Sequence, residues 1–540
     1  MAVSKQNPIS SDKEKFFKQL HGRQQITLEE IQNEAEKESY TVILENQKAL
    51  EAEFKHMFAV LQMQKDEDEE RNKAFWLYCY YCATLLETFH KAYGQQSKEA
   101  DYKKFKEKIK KHLLKEKEDA KAEEEFIDSL KNSFLDSFKN LCTAPAHLSR
   151  IRDYVAYSNL CRVYWVFCRL TLVSGFTLAK ETHFLEKLDK ILGTHTDADK
   201  IIDTLKAPNG VLNYFSVGLF LFRFAIDFGL LLRHTFCPKK GEGNNTPEEM
   251  WARFKFEFYK RHCNFANDLV WATVNFLTNF NHITHIPDPT AGVITAAFLG
   301  FDVCMTLYKC YLAKREYLAK KTQYEKEIED YRNKALFTHL SQKERDAHIA
   351  MLEKQIIELE IDWRTKEATF YFNAAAAALL MFGFSASLLF TGPAIPVVCF
   401  FACTIAVAMY LSSDAYSKYQ EKGYRLELGH LKGKELEKAR QEYEAARNDF
   451  YFTLAKNAIV PTLLIATYAV CWPAAIALTV LYMGYEIYHA YDQHQSKKEA
   501  ERLALEGPKE DDFLDDIYDE EDARLLNKEE NIDIDNCCFI

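Results

Sequence analysis

The chain has 540 residues and a formal net charge of -11, from 69 Lys+Arg against 80 Asp+Glu. A charged fraction of 28% excludes collagen-like and low-complexity classes, and the acidic balance argues against nucleic acid as a partner. With only 18 Gly and 12 Pro there are too few turns for many short strands, so the composition predicts an all-α protein of long helices. The mean hydropathy of -0.31 reads as soluble, but polar and apolar residues are segregated along the chain. Fourteen cysteines form no dense framework, and Met1 to Leu20 lacks the apolar core of a secretory signal. Free thiols in a reducing compartment are expected.

Residues 1–150 read as long charged cytoplasmic helices. Thr27 and Glu30 fit a capping box, in which a hydroxyl and a carboxylate three residues apart satisfy two free N–H groups. No Pro or Gly follows until Tyr93, which predicts one very long helix, or two with a break near Asp66-Glu67-Asp68. Lys98 to Leu141 is dense in charge and reads as a solvated helix.

Residues 151–312 are more apolar. Ile151 to Ala179 is interrupted by Arg162 and Arg169. Ala207 to Phe222 is uncharged and is followed by Arg223 and Asp227, four apart on one face and able to pair. Leu269 to Pro287 and Pro289 to Phe301 are also uncharged. These stretches fit core helices, interfacial helices or marginal membrane spans.

Residues 313–367 predict a coiled-coil hairpin. Ser341 and Glu344 make a second capping box. Ile349, Leu352, Ile356, Leu359 and Trp363 follow at alternating spacings of 3 and 4, which is an a/d seam. The expected partner is the preceding helix, about 314–336, folded back antiparallel. Self-association through the seam stays open.

Ala368 to Ser413 holds 46 consecutive residues without Asp, Glu, Lys or Arg. A crossing of ~30 Å of hydrocarbon needs roughly 20 apolar residues, so this length predicts a transmembrane hairpin. Its turn carries Gly392, Pro393 and Pro396. Residues 414–450 form a helical spacer. A second hairpin is expected over 451–491, broken at Pro473, and it either crosses twice or inserts shallowly. Asp414 to Lys456 holds nine Lys+Arg, which places that segment, the N-terminal half and the C-terminus in the cytoplasm.

Residues 492–540 form an acidic tail that ends Cys537-Cys538-Phe539-Ile540. That end has the Cys-a-a-X form, with Cys537 as the prenylation site and Cys538 as a second lipidation candidate. A bulky final residue favours geranylgeranyl, so a host prenyltransferase is an expected partner.

No catalytic, cofactor or metal motif emerges. Cys79 and Cys82 form a CxxC inside an apolar aromatic run, which reads as core. His282 and His285 lack a well-placed third ligand.

The helical N-terminal half, coiled-coil spacers, paired hairpins, acidic block from Glu510 to Asp522 and Cys-a-a-X end resemble the type IV secreted effectors of Legionella and Coxiella-like bacteria. The specific motifs cover about the last thirty residues; the remainder of the resemblance is architectural. It implies delivery into a host cell, host prenylation and residence on a host endomembrane or pathogen vacuole. It implies no reaction. The expected function is a membrane-anchored interaction protein contacting the lipid bilayer and host trafficking or tethering proteins. The alternatives are a membrane-shaping hairpin protein and an enzyme with an unrecognised site in 90–310.

Overall fold

Both capping boxes form. Thr27 Oγ1 accepts the Glu30 N–H at 3.2 Å while Glu30 Oε2 accepts the Thr27 N–H at 3.2 Å. Glu344 Oε2 accepts the Ser341 N–H at 2.7 Å, and Ser341 Oγ accepts the Glu344 N–H at 3.3 Å. These pairs satisfy N–H groups that a helix start leaves free.

In this computed structural model the described residues are 8–21, 27–37, 40–63, 69–92, 96–114, 183–193, 197–206, 209–236, 246–333, 340–389, 395–429 and 433–470, with a few isolated positions. Two units divide the chain, Met1–Asp119 with Phe138–Ala475 and Ala120–Ser137 with Ile476–Ile540; every helix named below lies in the first. Among the described residues every element is an α-helix.

The head comprises α1 (Pro8–His21), α2 (Leu28–Lys37), α3 (Tyr40–Met63), α4 (Glu69–Ala92) and α5 (Gln96–Leu114). The sequence suggested one or two helices between 27 and 93; the structure has three. Apolar burial explains the packing: a straight rod would leave the apolar faces in water, whereas α2 and α3 packed onto α4 bury Ile31, Met57, Leu61, Leu86 and Phe89 together. Phe16 and Phe17 from α1 close this core against Phe75, Tyr78 and Tyr81, with ring centroids 5.1–5.7 Å apart.

After the head come α6 (Phe184–Leu192), α7 (Ala198–Lys206), α8 (Asn209–Phe236), α9 (Pro247–Asn279) and the single turn α10 (Asn281–Thr284). Two very long helices follow, α11 (Asp288–Arg332) and α12 (Gln342–Leu389). Then come α13 (Ile395–Leu411), α14 (Ser413–Leu428) and α15 (Lys434–Val470).

The polar halves of α11 and α12 lie antiparallel. Ile349, Leu352, Ile356 and Leu359 pack on Tyr317, Tyr324, Ile328 and Tyr331 of α11. Trp363 stacks on Tyr317 at 5.4 Å between centroids. All five seam residues therefore face α11 within one chain.

A buried ionic quartet fixes the head to this seam. Lys13 Nζ donates to Glu53 Oε1 at 2.8 Å and to Glu327 Oε2 at 3.0 Å. Lys320 Nζ donates to Glu53 Oε2 at 2.7 Å. Gln355 adds a 3.3 Å bond to Glu53, which is 0% exposed. Burial works to raise the Glu53 carboxyl, but Lys13 and Lys320 outweigh it and hold it well below the carboxylate range. Burial likewise opposes the Lys13 charge, and Glu327 and Glu53 overcome it and raise its pKa.

Candidate membrane interface

The second halves of these helices carry the site. In α12 the uncharged stretch 368–389 spans about 33 Å at ~1.5 Å per residue, close to the roughly 30 Å of a hydrocarbon core. It turns back into α13, and Leu380 packs on Cys403, Ala406 and Val407. Small side chains at Ala374, Ala376, Ala377 and Ala386 are buried, which allows the close approach that lipid-embedded helices use. The opposite faces expose Tyr371, Phe382, Val398, Phe401 and Ile405.

The apolar half of α11 runs beside that of α12. A methyl placed on Gly300 would sit 3.4 Å from Met381 Sδ. Among the described residues one helix is long and apolar enough to cross a membrane, Val293–Arg332 within α11, and only 11% of its most apolar window is buried. A core helix would be mostly covered; this one presents Val293, Leu307, Tyr308 and Tyr311 outward.

The α8–α9 hairpin is inside-out. Six of its charged side chains face inward while Arg233, Glu248 and Lys255 are exposed: Arg223 Nη2 lies 3.2 Å from Asp268 Oδ1, Arg261 Nε lies 3.8 Å from Asp227 Oδ1, and Arg253 and Glu257 are buried beside them. Arg261 also bonds Glu257, and His234 Nδ1 meets Glu257 Oε2 at 3.1 Å. Arg253 donates to the Thr235 carbonyl at 3.2 Å. The exposed face carries Leu221, Phe222, Phe228, Leu232, Trp251, Phe258, Leu269 and Phe276. Water would favour the reverse arrangement. Buried ions paired between helices with apolar side chains outside suit an apolar solvent. The sequence suggested that Arg223 and Asp227 pair with each other. Each pairs across to α9, because facing helices bring opposite charges together with apolar side chains left outward.

Contacts between helices align their apolar ends. Trp271 Nε1 of α9 donates to Asp302 of α11 at 2.8 Å, and Phe220 of α8 stacks on Trp271 at 6.4 Å. Phe372 stacks on Tyr416 at 4.0 Å, and both contact Phe450. Asn457 of α15 bonds Ser412 at 3.1 Å. Four helices change from charged to apolar near that level, at Lys309 in α11 (with Asp302 beyond it), Glu367 in α12, Asp414 after α13 and Lys456 in α15. Tyr259, Tyr308, Tyr311, Tyr371 and Tyr451 are exposed close to it, where aromatic side chains favour a membrane–water boundary.

The other sequence candidates fall as follows. Pro396 lies in the first turn of α13, where a missing N–H costs nothing. Gly392, Pro393, Pro473, Cys537 and Cys538 lie outside the described residues, as does the second half of the 451–491 hairpin. Cys79 and Cys82 are buried in the head; burial pushes the Cys82 thiol up to about 12 and raises the Cys79 thiol well above its ordinary value. Such thiols stay protonated and unreactive at neutral pH. His285 adopts a left-handed φ of 55° in the turn between α10 and α11. Among the described residues no three His, Cys, Asp or Glu side chains converge as a metal site.

Sequence reasoning missed the quartet. Glu53 stands in register with Leu50, Phe54, Met57, Val60 and Leu61, so its place on the apolar face of α3 was the available signal. The chain matches no protein-family model, no curated protein and no solved structure.

Proposed function

We propose that this chain is a multi-pass, membrane-anchored interaction protein of the secreted-effector type. The inside-out α8–α9 hairpin carries the reading: apolar faces outward and ion pairs inward fit a lipid solvent. The aligned apolar ends of α8, α9, α11, α12, α13 and α15 support one bilayer layer. The head and the α11–α12 coiled coil then stand together on one side, the cytoplasmic one by the Lys/Arg load of 414–456. The quartet holds the head rigidly on the coiled coil, so the head is displayed at a fixed distance from the bilayer. A rigid helical platform of this kind suits host trafficking or tethering partners. The Cys537 end adds a prenyl anchor made by a host geranylgeranyltransferase, a minor contribution beside the inserted helices.

The test is expression of the full chain in a eukaryotic cell, with a proximity-labelling enzyme fused to the head. Labelled proteins should belong to the cytosolic face of one endomembrane. A uniform cytosolic pattern would refute the reading. Cys537→Ser should abolish isoprenoid incorporation; persistent labelling would refute the lipidation site.

A further inference from the structure

The edge of the head nearest the apolar layer is basic. Along α11, Glu327 takes Lys13, Lys320 takes Glu53 and Glu316 takes Lys48, whose Nζ donates at 2.6 Å. Glu316 is the nearest of these three to the apolar half of α11, so Lys48 marks the edge of the head that overlooks that half. Lys98, at the start of α5, joins it by donating to Glu51 Oε1 at 3.1 Å, one turn along α3 from Lys48. From the other side α9 closes in. Phe256 packs against the head core, and Lys260, one turn on, holds its Nζ 6.0 Å from the Phe256 ring centroid. Lys48 and Lys98 stand near enough to Lys260 to oppose its charge, and Glu51 near enough to support it. The His262 and Tyr308 rings meet at 6.2 Å between centroids, and Lys48 and Lys309 both act on the neighbouring Cys263 thiol. Four lysines from α3, α5, α9 and α11 therefore converge where the head, α9 and α11 join.

We propose that this junction binds the headgroup phosphate of an anionic phospholipid from the leaflet that faces the head. The inference rests on the membrane reading above. Charge selects the ligand. Lys48, Lys98, Lys260 and Lys309 meet two carboxylates, Glu51 and Glu316, and the excess of two positive charges matches a phosphomonoester dianion. Asp302, which also feels Lys309, is already bonded by Trp271. The pairs made by Lys48 and Lys98 leave both ammonium groups open to an anion: the two side chains are 58% and 52% exposed, and exposed pairs of this kind hold little energy. Position selects a lipid over a free anion. Tyr259 and Tyr308 are exposed next to Lys260 and Lys309, at the level where the helices turn apolar. Acyl chains can descend along that face while the lysine stems lie beside them and the ammonium groups reach the phosphate. Between Glu316 and Lys309 the helix rises about 10 Å at ~1.5 Å per residue, which spans the roughly 5–8 Å headgroup zone of a leaflet. Basic side chains at that depth attract anionic lipid.

The experiment uses the full chain, purified in a neutral detergent and titrated with mixed micelles that carry fluorescent phosphatidic acid or fluorescent phosphatidylcholine. Saturable binding of phosphatidic acid, with phosphatidylcholine about ten-fold weaker or worse, is the expected result. Lys48→Gln should weaken phosphatidic acid binding roughly five-fold, and Lys48→Gln with Lys260→Gln roughly twenty-fold. Lys48→Arg should keep it, and so should Lys111→Gln, an exposed position at the far end of α5. Because the Lys48 side chain lies open to solvent, its variant tests the site with the fold intact. Equal affinity for the two lipids, or binding that survives the double variant, overturns the proposal. Displacement of the lipid by inorganic phosphate at equal concentration overturns the lipid as the source of the anion. A missing lipid preference in a protein that still resists alkaline extraction overturns this inference alone, whereas release by alkali overturns the membrane reading too.

Discussion

Glu53→Gln removes one negative charge from the junction of head and coiled coil with almost no change in shape. The native quartet is neutral, with Lys13 and Lys320 against Glu53 and Glu327, all nearly or fully buried. After the substitution Lys13 keeps Glu327 at 3.0 Å, whereas Lys320 keeps the Ala49 carbonyl at 3.4 Å, the Gln323 amide at 3.4 Å and the Tyr324 ring. A buried cation without a counter-charge costs about 3–5 kcal/mol. The assay is urea denaturation of the detergent-solubilised chain, followed by fluorescence of Trp76, which is buried in the head core. Replacing all four partners together, with Lys13→Met, Lys320→Met, Glu53→Leu and Glu327→Leu, should recover most of the loss, because no charge is left to desolvate. The sign with pH follows from the shifts. Glu53 is depressed below its ordinary 4.5, so its stabilisation is present above that pH and is lost as pH falls. Lys13 is raised above its ordinary 10.5, so its contribution holds below that pH and is lost as pH rises. A Glu53→Gln loss under about 1 kcal/mol, or a quadruple variant no more stable than Glu53→Gln, would refute the reasoning.

Burial pushes His56 down to about 4 from an ordinary 6.5, and neither ring nitrogen has a hydrogen-bond partner. The unfolded chain binds the extra proton first, so stability should fall by about 3 kcal/mol as pH drops from 6.5 to 4. His56→Leu should flatten that part of the stability–pH curve; an unchanged slope would count against it. In the seam, Leu352 is 1% exposed, so Leu352→Ala should cost about 2–5 kcal/mol and the partly buried Ile349→Ala less, by denaturant midpoint. Reversed ranking would contradict the packing. Asp268→Ala removes the carboxylate 3.2 Å from Arg223 between α8 and α9 and should cut the yield of folded protein from membranes several-fold. Adding Arg223→Leu should restore it; equal yields for the single and double variants would dissolve the pairing argument.

Helix content and both helix starts were legible in the sequence, because caps and periodicity are local. The seam from Ile349 to Trp363 was legible for the same reason, since a heptad pattern names its own face. The division of the head into three helices was not. The packing of α2 on α4 pairs distant segments, which leaves no local mark. The apolar exterior was half legible. A run of 46 uncharged residues declares itself, but α8 and α9 carry Arg223, Asp227, Glu257, Arg261 and Asp268, which broke every uncharged window. Only the hairpin geometry turns those charges inward and leaves an apolar exterior. Glu53 in an apolar register was visible, but its partners come from three other helices.

Alkaline extraction of membranes bearing the full-length Cys537→Ser protein tests the central claim most directly, since it removes the prenyl anchor and strips peripheral proteins. Inserted helices predict that the protein stays in the membrane pellet. Release of the protein into the alkaline supernatant would contradict the inserted layer of α8, α9, α11, α12, α13 and α15.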